Sequence, residues 1–304
     1  MSRRVAVIMG GTSVEREVSL VSGCAVEKAL ASLGYAVTLI DADHSLPARL
    51  AQCRPDVVFN ALHGRIGEDG CVQGLFEVLG IPYTHSGVLT SALAMNKPVA
   101  KQLFSDAGLT CPEGRVMNFT AVLGGEGFEP PYVMKPLNEG SSVGVHIVLN
   151  ADNHRQLTHE DWAFGDQVLV EKYIPGREIQ VAIMGDRALG AIEVRPRGRF
   201  YDYETKYTDG KAEHFMPAPI HADAYAEALD IALRAHQTLG CRGVSRADLR
   251  YDDTSGEPGT FYLLEINTQP GMTPLSLVPE IAANYGLNFP ELVAWMVENA
   301  ACDN

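Results

Sequence analysis

The sequence predicts a mixed protein, α/β at its N-terminal end and α+β beyond it. Three observations lead there. Short apolar runs alternate with helical patterns in the first third, extended segments follow one another over residues 132–194, and two more flank a turn near the C-terminus. Alternation implies a parallel sheet with crossover helices, whereas grouped strands imply an antiparallel or mixed sheet. At 304 residues the chain is long for one core and reads as two or three packed domains.

Taken in order, residues 5–9 form a buried parallel-type strand and residues 15–33 a helix. Residues 35–40 and 56–61 repeat the strand signal, with helical patterns between and after them. In such sheets ligands meet the loops at the carboxyl ends of strands, here residues 10–15 and 63–70. The character changes at Asn96: a helix near 97–107 and a Gly/Pro-rich stretch at 124–131 precede extended segments at 132–135, 145–148, 168–173, 179–184 and 188–194. A polar segment at 200–217 leads to an alanine-rich helix at 222–239. Strands at 243–251 and 260–266 and a helical C-terminal region complete the pattern.

Composition narrows the class. Hydrophobic residues at 46% and charged residues at 20% exclude a disordered or fibrous chain. The net charge of −14 argues against nucleic-acid binding by broad phosphate neutralisation, but leaves room for a local basic pocket. Cys24, Cys53, Cys71, Cys111, Cys241 and Cys302 form no C-x-x-C pair, which predicts reduced, mostly buried thiols and no zinc site. The apolar run behind Arg4 is too short for a signal segment, and no run approaches the ~18 apolar residues of a membrane span. A cytoplasmic protein without a membrane partner is expected.

The strongest local chemistry is Arg246-Ala-Asp248 followed by Glu265-Ile-Asn267. Residues 252–259 between them are turn chemistry, so the flanking strands should pair antiparallel. Side chains alternate along a strand, which puts Arg246 and Asp248 on one face and Ala247 and Leu249 on the other. Glu265 and Asn267 likewise share a face, with Leu264 and Ile266 opposite. Two carboxylates and an amide carbonyl are hard oxygen ligands suited to Mg²⁺ alongside water and phosphate. The same residues also fit a surface hairpin with salt bridges to Arg246 and Arg250.

Lys135 ends an extended segment just before Glu139-Gly140-Ser141-Ser142-Val143-Gly144. A lysine there can meet phosphate oxygens while backbone N–H groups of the loop close over them. Neither G-x-x-x-x-G-K-[ST] nor G-x-G-x-x-G occurs in the chain. Residues 140–144 do match G-x-S-x-G, the elbow of serine hydrolases, which requires a helix after the turn. Here extended, β-branched residues follow.

With these residues in view, the chain resembles the bacterial D-alanine–D-alanine ligases of the ATP-grasp superfamily from end to end. The matching stretches are Gly10-Gly-Thr-Ser-Val-Glu-Arg-Glu-Val-Ser-Leu20, Ala61-Leu-His-Gly64, Gly67-Glu-Asp-Gly70, Lys135-Pro136, Glu139-Gly-Ser-Ser-Val-Gly144, Tyr201-Asp-Tyr-Glu-Thr-Lys-Tyr207, Leu264-Glu-Ile-Asn-Thr268 and Pro270-Gly-Met-Thr273. The resemblance implies an ATP-grasp fold: a Rossmann-like parallel-sheet domain over 1–95, a central ATP-binding subdomain over 96–177 and a catalytic subdomain over 178–304.

It also implies a reaction. ATP phosphorylates one D-alanine, the amine of a second attacks the acyl phosphate, and the dipeptide serves peptidoglycan synthesis. By resemblance Lys97, Lys135, Ser142 and Lys206 hold the phosphates, and Glu171, Lys172, Ile174 and Glu178 surround adenine and ribose. Asp248, Glu265 and Asn267 match the ligands of two Mg²⁺ or Mn²⁺ ions. Glu15 and His63 would meet the first D-alanine, with Ser141 and Tyr207 joined to Glu15. Arg246 and the Gly271 N–H would stabilise the oxyanion, where one donor is worth about 2.7–4 kcal/mol. Ser276 would bind the second carboxylate, and a homodimer is expected.

An acyl phosphate hydrolyses in water, so the loop at 140–144 and the segment at 200–217 are the expected lids. Three departures stand out: Asn96 where the family carries aspartate, Gln269 where it carries serine, and Pro274 at a variable position. Tyr207 favours D-alanine over D-lactate as second substrate; a D-lactate or D-serine ligase is the close alternative. A G-x-S-x-G hydrolase acting through Ser142 and a non-catalytic nucleotide-binding regulator are the alternatives from other classes.

Overall fold

A computed structural model of the chain describes residues 2–150, 158, 162–196 and 212–303. Strands β1 (Arg4–Met9), β2 (Ala36–Asp41) and β3 (Val57–Asn60) form a parallel sheet in the order β2-β1-β3. Helices α1 (Arg16–Ser32) and α2 (Leu46–Cys53) make the crossovers. Val5 and Val7 point towards Val26 and Leu30 of α1, while Ala6 and Ile8 point towards Leu46 and Leu50 of α2. Cover on both faces is why β1 is apolar throughout its centre.

Helices α3 (Cys71–Leu79), α4 (Val88–Met95) and α5 (Lys97–Asp106) follow. Asn96 caps α5, its side chain accepting from the Val99 N–H at 3.3 Å. Capping needs only an acceptor oxygen, which asparagine supplies in place of aspartate. Ala94, Ala100 and Phe104 of these helices pack into the core of the C-terminal sheet.

The second sheet joins β4 (Gly114–Asn118), β5 (Tyr132–Lys135), β6 (His146–Val148) and β7 (Gln167–Lys172) in the order β4-β7-β5-β6, all antiparallel. Helix α6 (Phe119–Leu123) packs on it through Phe119 and Val122. The third sheet is antiparallel, in the order β10-β9-β8-β11-β12. Its strands are β8 (Arg177–Met184), β9 (Arg187–Pro196), β10 (Ala212–Phe215), β11 (Val244–Asp252) and β12 (Thr260–Asn267). Helix α7 (Ala222–Thr238) lays Ala224, Ala228, Ala232 and Ala235 on one face of it, the small side chains of an i, i+4 stripe permitting close approach.

The other face meets α8 (Leu277–Asn284), while α9 (Phe289–Glu298) packs on α8, α1 and β3. Ile281, Leu292 and Met296 join one apolar cluster with Val5, Val7 and Phe59 of the first sheet and Ala182, Ile192 and Val244 of the third. Tyr83 bridges to Ala301, so the end of the chain is fastened beside β3. The first and last parts of the sequence therefore share an interior.

Two strands differ from the sequence reading. β4 is almost wholly exposed and shows no apolar alternation, and β10 lies in the segment read as polar. The cysteines are thiols, but none is fully buried, and Cys24 and Cys71 are exposed. Cys24 and Cys71 lie on the exposed sides of α1 and α3, and Cys111 and Cys241 only border the core, so the expectation of mostly buried thiols does not hold. Among the described residues, no helix is long and apolar enough to cross a membrane.

Candidate active site

The β11–β12 hairpin sets the chemistry. Asp248 stands opposite Glu265, and Arg246 opposite Asn267. Ala247, Leu249 and Ile266 enter the core, as the alternation requires. A β-bulge after Asp248 shifts the register, so Leu263 rather than Leu264 pairs with Leu249. Leu264 consequently lines the cleft beside Glu265, a correction to the simple two-residue period. Arg246 grips Asp248 with two bonds, Nε to Oδ1 at 2.6 Å and Nη2 to Oδ2 at 2.9 Å.

This hairpin forms one wall of a cavity of about 600 Å³, within the usual range for a ligand pocket. Val133, Ile147, Ile174 and Leu264 supply apolar surface, with Lys97, Lys135, Glu178, Asp248 and Glu265 among the charged groups. Ser142, Glu171 and Lys172 also line it. Arg250 fixes the turn between the two antiparallel sheets, donating to the Ile174 and Gly176 carbonyls at 3.2 and 2.7 Å.

Glu171 is almost fully buried, and its carboxylate points to lysines: Lys135 Nζ lies 2.5 Å away, and Lys101 Nζ donates to the same group. Burial pushes the Glu171 carboxyl up, but Lys135 and Lys101 outweigh it and hold its pKa below the ordinary value. Burial works against the charge on Lys135 as well, yet Glu171 leaves that pKa raised. Lys97 Nζ donates to the Glu139 carbonyl and stands 3.5 Å from Glu265 Oε2.

A smaller cavity of about 50 Å³ adjoins the first, sharing Lys97, Glu139 and Glu265. His63, Glu68, Ser141, Arg246, Asn267 and Gly271 complete its wall. His63 Nδ1 is 3.1 Å from Glu68 Oε1, and its Nε2 is 3.4 Å from Ser22 Oγ. Glu15 is buried behind this cavity and accepts from Ser141 Oγ. Gly64 and Gly140 flank it so closely that a Cβ would come within 3.0 and 3.3 Å of Glu15 Oε1. Ser141 and Ser142 occupy the left-handed region, with φ of 50° and 61°. Such conformations are costly for non-glycine residues and mark a loop held by its surroundings.

Of the residues singled out in the sequence, Ser276 stands behind Gly271, its Oγ accepting from the Thr273 N–H at 2.9 Å. A Cβ on Gly271 would meet that oxygen at 2.8 Å. Lys206 and Tyr207 lie outside the described residues, as does most of the 200–217 segment. Residues 140–144 lead into β6, so the strand–turn–helix elbow of a hydrolase is not formed.

Three contributors were given no role in the sequence reading: Lys101, Glu68, quoted only within a matching stretch, and Gln269, noted only as a departure. Gln269 is buried, donates its backbone N–H to Asn267 Oδ1 at 2.8 Å and accepts from Asn60 Nδ2 at 2.8 Å. Its Nε2 also donates to the Leu62 carbonyl. The available clue was its place two residues beyond Asn267, where the family carries serine; once buried, such a side chain must find partners. Among the described residues, no group of three or more His, Cys, Asp or Glu side chains is placed to hold a metal. The hairpin offers two carboxylates and one carboxamide, all hard oxygen donors.

Two antiparallel sheets closing on a cavity that brings lysines up to paired carboxylates, behind a parallel-sheet domain, define an ATP-grasp ligase. The D-ala D-ala ligase C-terminus family matches residues 120–298, and the D-ala D-ala ligase N-terminus family matches residues 48–86. The chain is 58% identical to a D-alanine–D-alanine ligase of Paramagnetospirillum magneticum, covering 100% of both chains. It is 55% identical to one of Methylobacterium radiotolerans, covering 99% of each. A Bacillus anthracis D-alanine–D-alanine ligase solved with ATP superposes with a TM-score of 0.81 at 31% identity, over 98% of this chain and 97% of that one. A D-Ala:D-Ser ligase from Enterococcus faecalis follows at 0.79 and 28%, over 98% and 99%. The chain belongs to the D-alanine–D-alanine ligase family.

Proposed function

We propose that this protein joins two D-alanine molecules at the expense of ATP, in the cytoplasm, for peptidoglycan precursors. The observation that carries the reading is the register of Asp248 on Glu265, facing Lys97 and Lys135 in one cavity that opens on a smaller one. The larger cavity takes ATP, with Glu171, Lys172, Ile174 and Glu178 around the base and ribose. Lys97, Lys135, Ser142 and Lys206 hold the phosphates. The smaller takes D-alanine, whose ammonium meets Glu15 and His63 while Ser276 holds the carboxylate of the second molecule.

The residues fit a divalent cation: Asp248, Glu265 and Asn267 are hard donors on one face of one hairpin. They would hold Mg²⁺ or Mn²⁺, as two ions, and that charge would offset the negative charge of the phosphates. The γ-phosphoryl group passes to a carboxylate oxygen of the first D-alanine, and ADP remains. The amine of the second attacks the carbonyl carbon, loses a proton, and phosphate departs. Arg246 and the Gly271 N–H receive the oxyanion formed on the way. The Ser141–Glu15 bond fixes the loop over the reactants, and the resemblance assigns Tyr207 to the same hydrogen-bonded set. Two reactants held together gain about 7–11 kcal/mol over a dilute encounter.

The domain division at 95/96 and 177/178 and a homodimer belong to the same reading. Incubation with ATP, Mg²⁺ and D-alanine should release ADP and phosphate and yield D-alanyl-D-alanine, with L-alanine inert and Asp248→Ala inactive. Absence of D-alanine-dependent ADP release overturns the proposal. Offering D-serine or D-lactate as second substrate separates the related ligases.

A further inference from the structure

Lys101 lies one helical turn beyond Lys97 on α5, on the same side of the helix. Its side chain is 12% exposed, and Nζ donates to the Pro112 carbonyl at 2.8 Å as well as to Glu171. It does not line the nucleotide cavity, whereas Lys135 does. One carboxylate, with only 2% of its side chain exposed, thus holds two lysines that differ in surroundings. One is anchored behind it by a backbone carbonyl; the other sits at the end of β5, on the cavity wall.

We propose that Lys101 is a positioning residue, the resident counterion of Glu171, which lets Lys135 turn to the nucleotide's phosphates without leaving a buried carboxylate unpaired. The inference rests on the assignment of Lys135 as a phosphate ligand. An ion pair in the interior is held tightly because removing one partner strands the other charge. With Lys135 alone, every nucleotide entering would have to break that pair. The second lysine removes this conflict: Glu171 keeps a cation whichever way Lys135 points. The anchored Lys101 cannot substitute at the phosphates, so the two ammonium groups divide the work.

The test is ATP affinity, measured by calorimetry with Mg²⁺ and without D-alanine, across K101M, E171Q, K101M/E171Q and K135M. K101M should weaken ATP at least about tenfold, because it ties Lys135 to Glu171. In the E171Q background there is no charge to compensate, so adding K101M should change the Kd less than about twofold. A K101M protein that binds ATP like wild type overturns the proposal, as does a K101M loss that persists undiminished beside E171Q. Should K101M alone fail to fold, the E171Q and K101M/E171Q pair decides, equal affinities supporting the role and a further loss refuting it. K135M reads the underlying assignment separately: unchanged ATP affinity there removes Lys135 from the phosphates. A K135M loss with K101M unaffected removes only the role of Lys101.

Discussion

Asp248 and Glu265 face each other across two antiparallel strands, and Arg246 clamps the first of them through both carboxylate oxygens. A bidentate guanidinium holds that carboxylate in one orientation.

Asp248→Asn should therefore abolish divalent-dependent turnover and also disturb Arg246. Replacing a carboxylate by a neutral amide costs a charge-assisted pair, about 1–3 kcal/mol. ADP release and the urea midpoint report the two effects. Wild-type turnover in the variant would remove Asp248 from the reaction.

The Glu171 carboxyl has its pKa held below its ordinary value of 4.5 once the two lysines outweigh burial. A lowered carboxyl pKa gives stability that is present above the unfolded value and is lost as pH falls through the folded one. Glu171→Gln should thus lie below wild type in Tm at neutral pH, with the gap closing below about pH 4.5. A gap that stays constant from pH 7 to 3 contradicts this origin.

His85 is fully buried with Nδ1 lacking a hydrogen-bond partner, and burial lowers its pKa to about 3. His236 is similarly lowered by burial, to about 4. Each stays neutral in the fold but protonates at about 6.5 when unfolded, so stability falls with pH from about 6.5 downwards. Each contributes a slope of at most about 1.4 kcal/mol per pH unit. His85→Asn suits the left-handed backbone there, φ 70°, and should flatten this slope in urea titrations between pH 6.5 and 4. An unaltered slope would assign it elsewhere.

Gln269→Ala deletes the bonds to Asn60 and Leu62 while keeping the backbone N–H on Asn267. The expected cost is about 1–3 kcal/mol, since Asn60 and the Leu62 carbonyl lose a buried partner. Because Leu62 adjoins His63, the KM for D-alanine should rise more than that for ATP. Steady-state kinetics with each substrate varied in turn checks this, and equal changes would argue for a merely structural role.

Much of this molecule was legible in its sequence where local rules govern. The strands at 132–135 and 168–173 showed themselves through apolar residues, and the hairpin faces followed from alternation. Leu264 broke that rule because a bulge depends on how two strands meet. β4 was hidden because an exposed edge strand needs no apolar alternation. Lys101 drew no reading and Gln269 only the note that it replaces the family's serine, since their partners lie 70 and 209 positions away. Chemistry made from distant pairings leaves no local signature.

The apolar cluster shared by β1, β3, α8 and α9 has a consequence for biosynthesis. A ribosome delivers Val5, Val7 and Phe59 early, and Ile281, Leu292 and Met296 much later. Until then the emerging N-terminal sheet carries an incompletely covered oily flank, the kind of surface that invites chaperones or aggregation. Translation halted before residue 277 should yield chains that associate with one another, while synthesis through α9 closes that flank at a stroke.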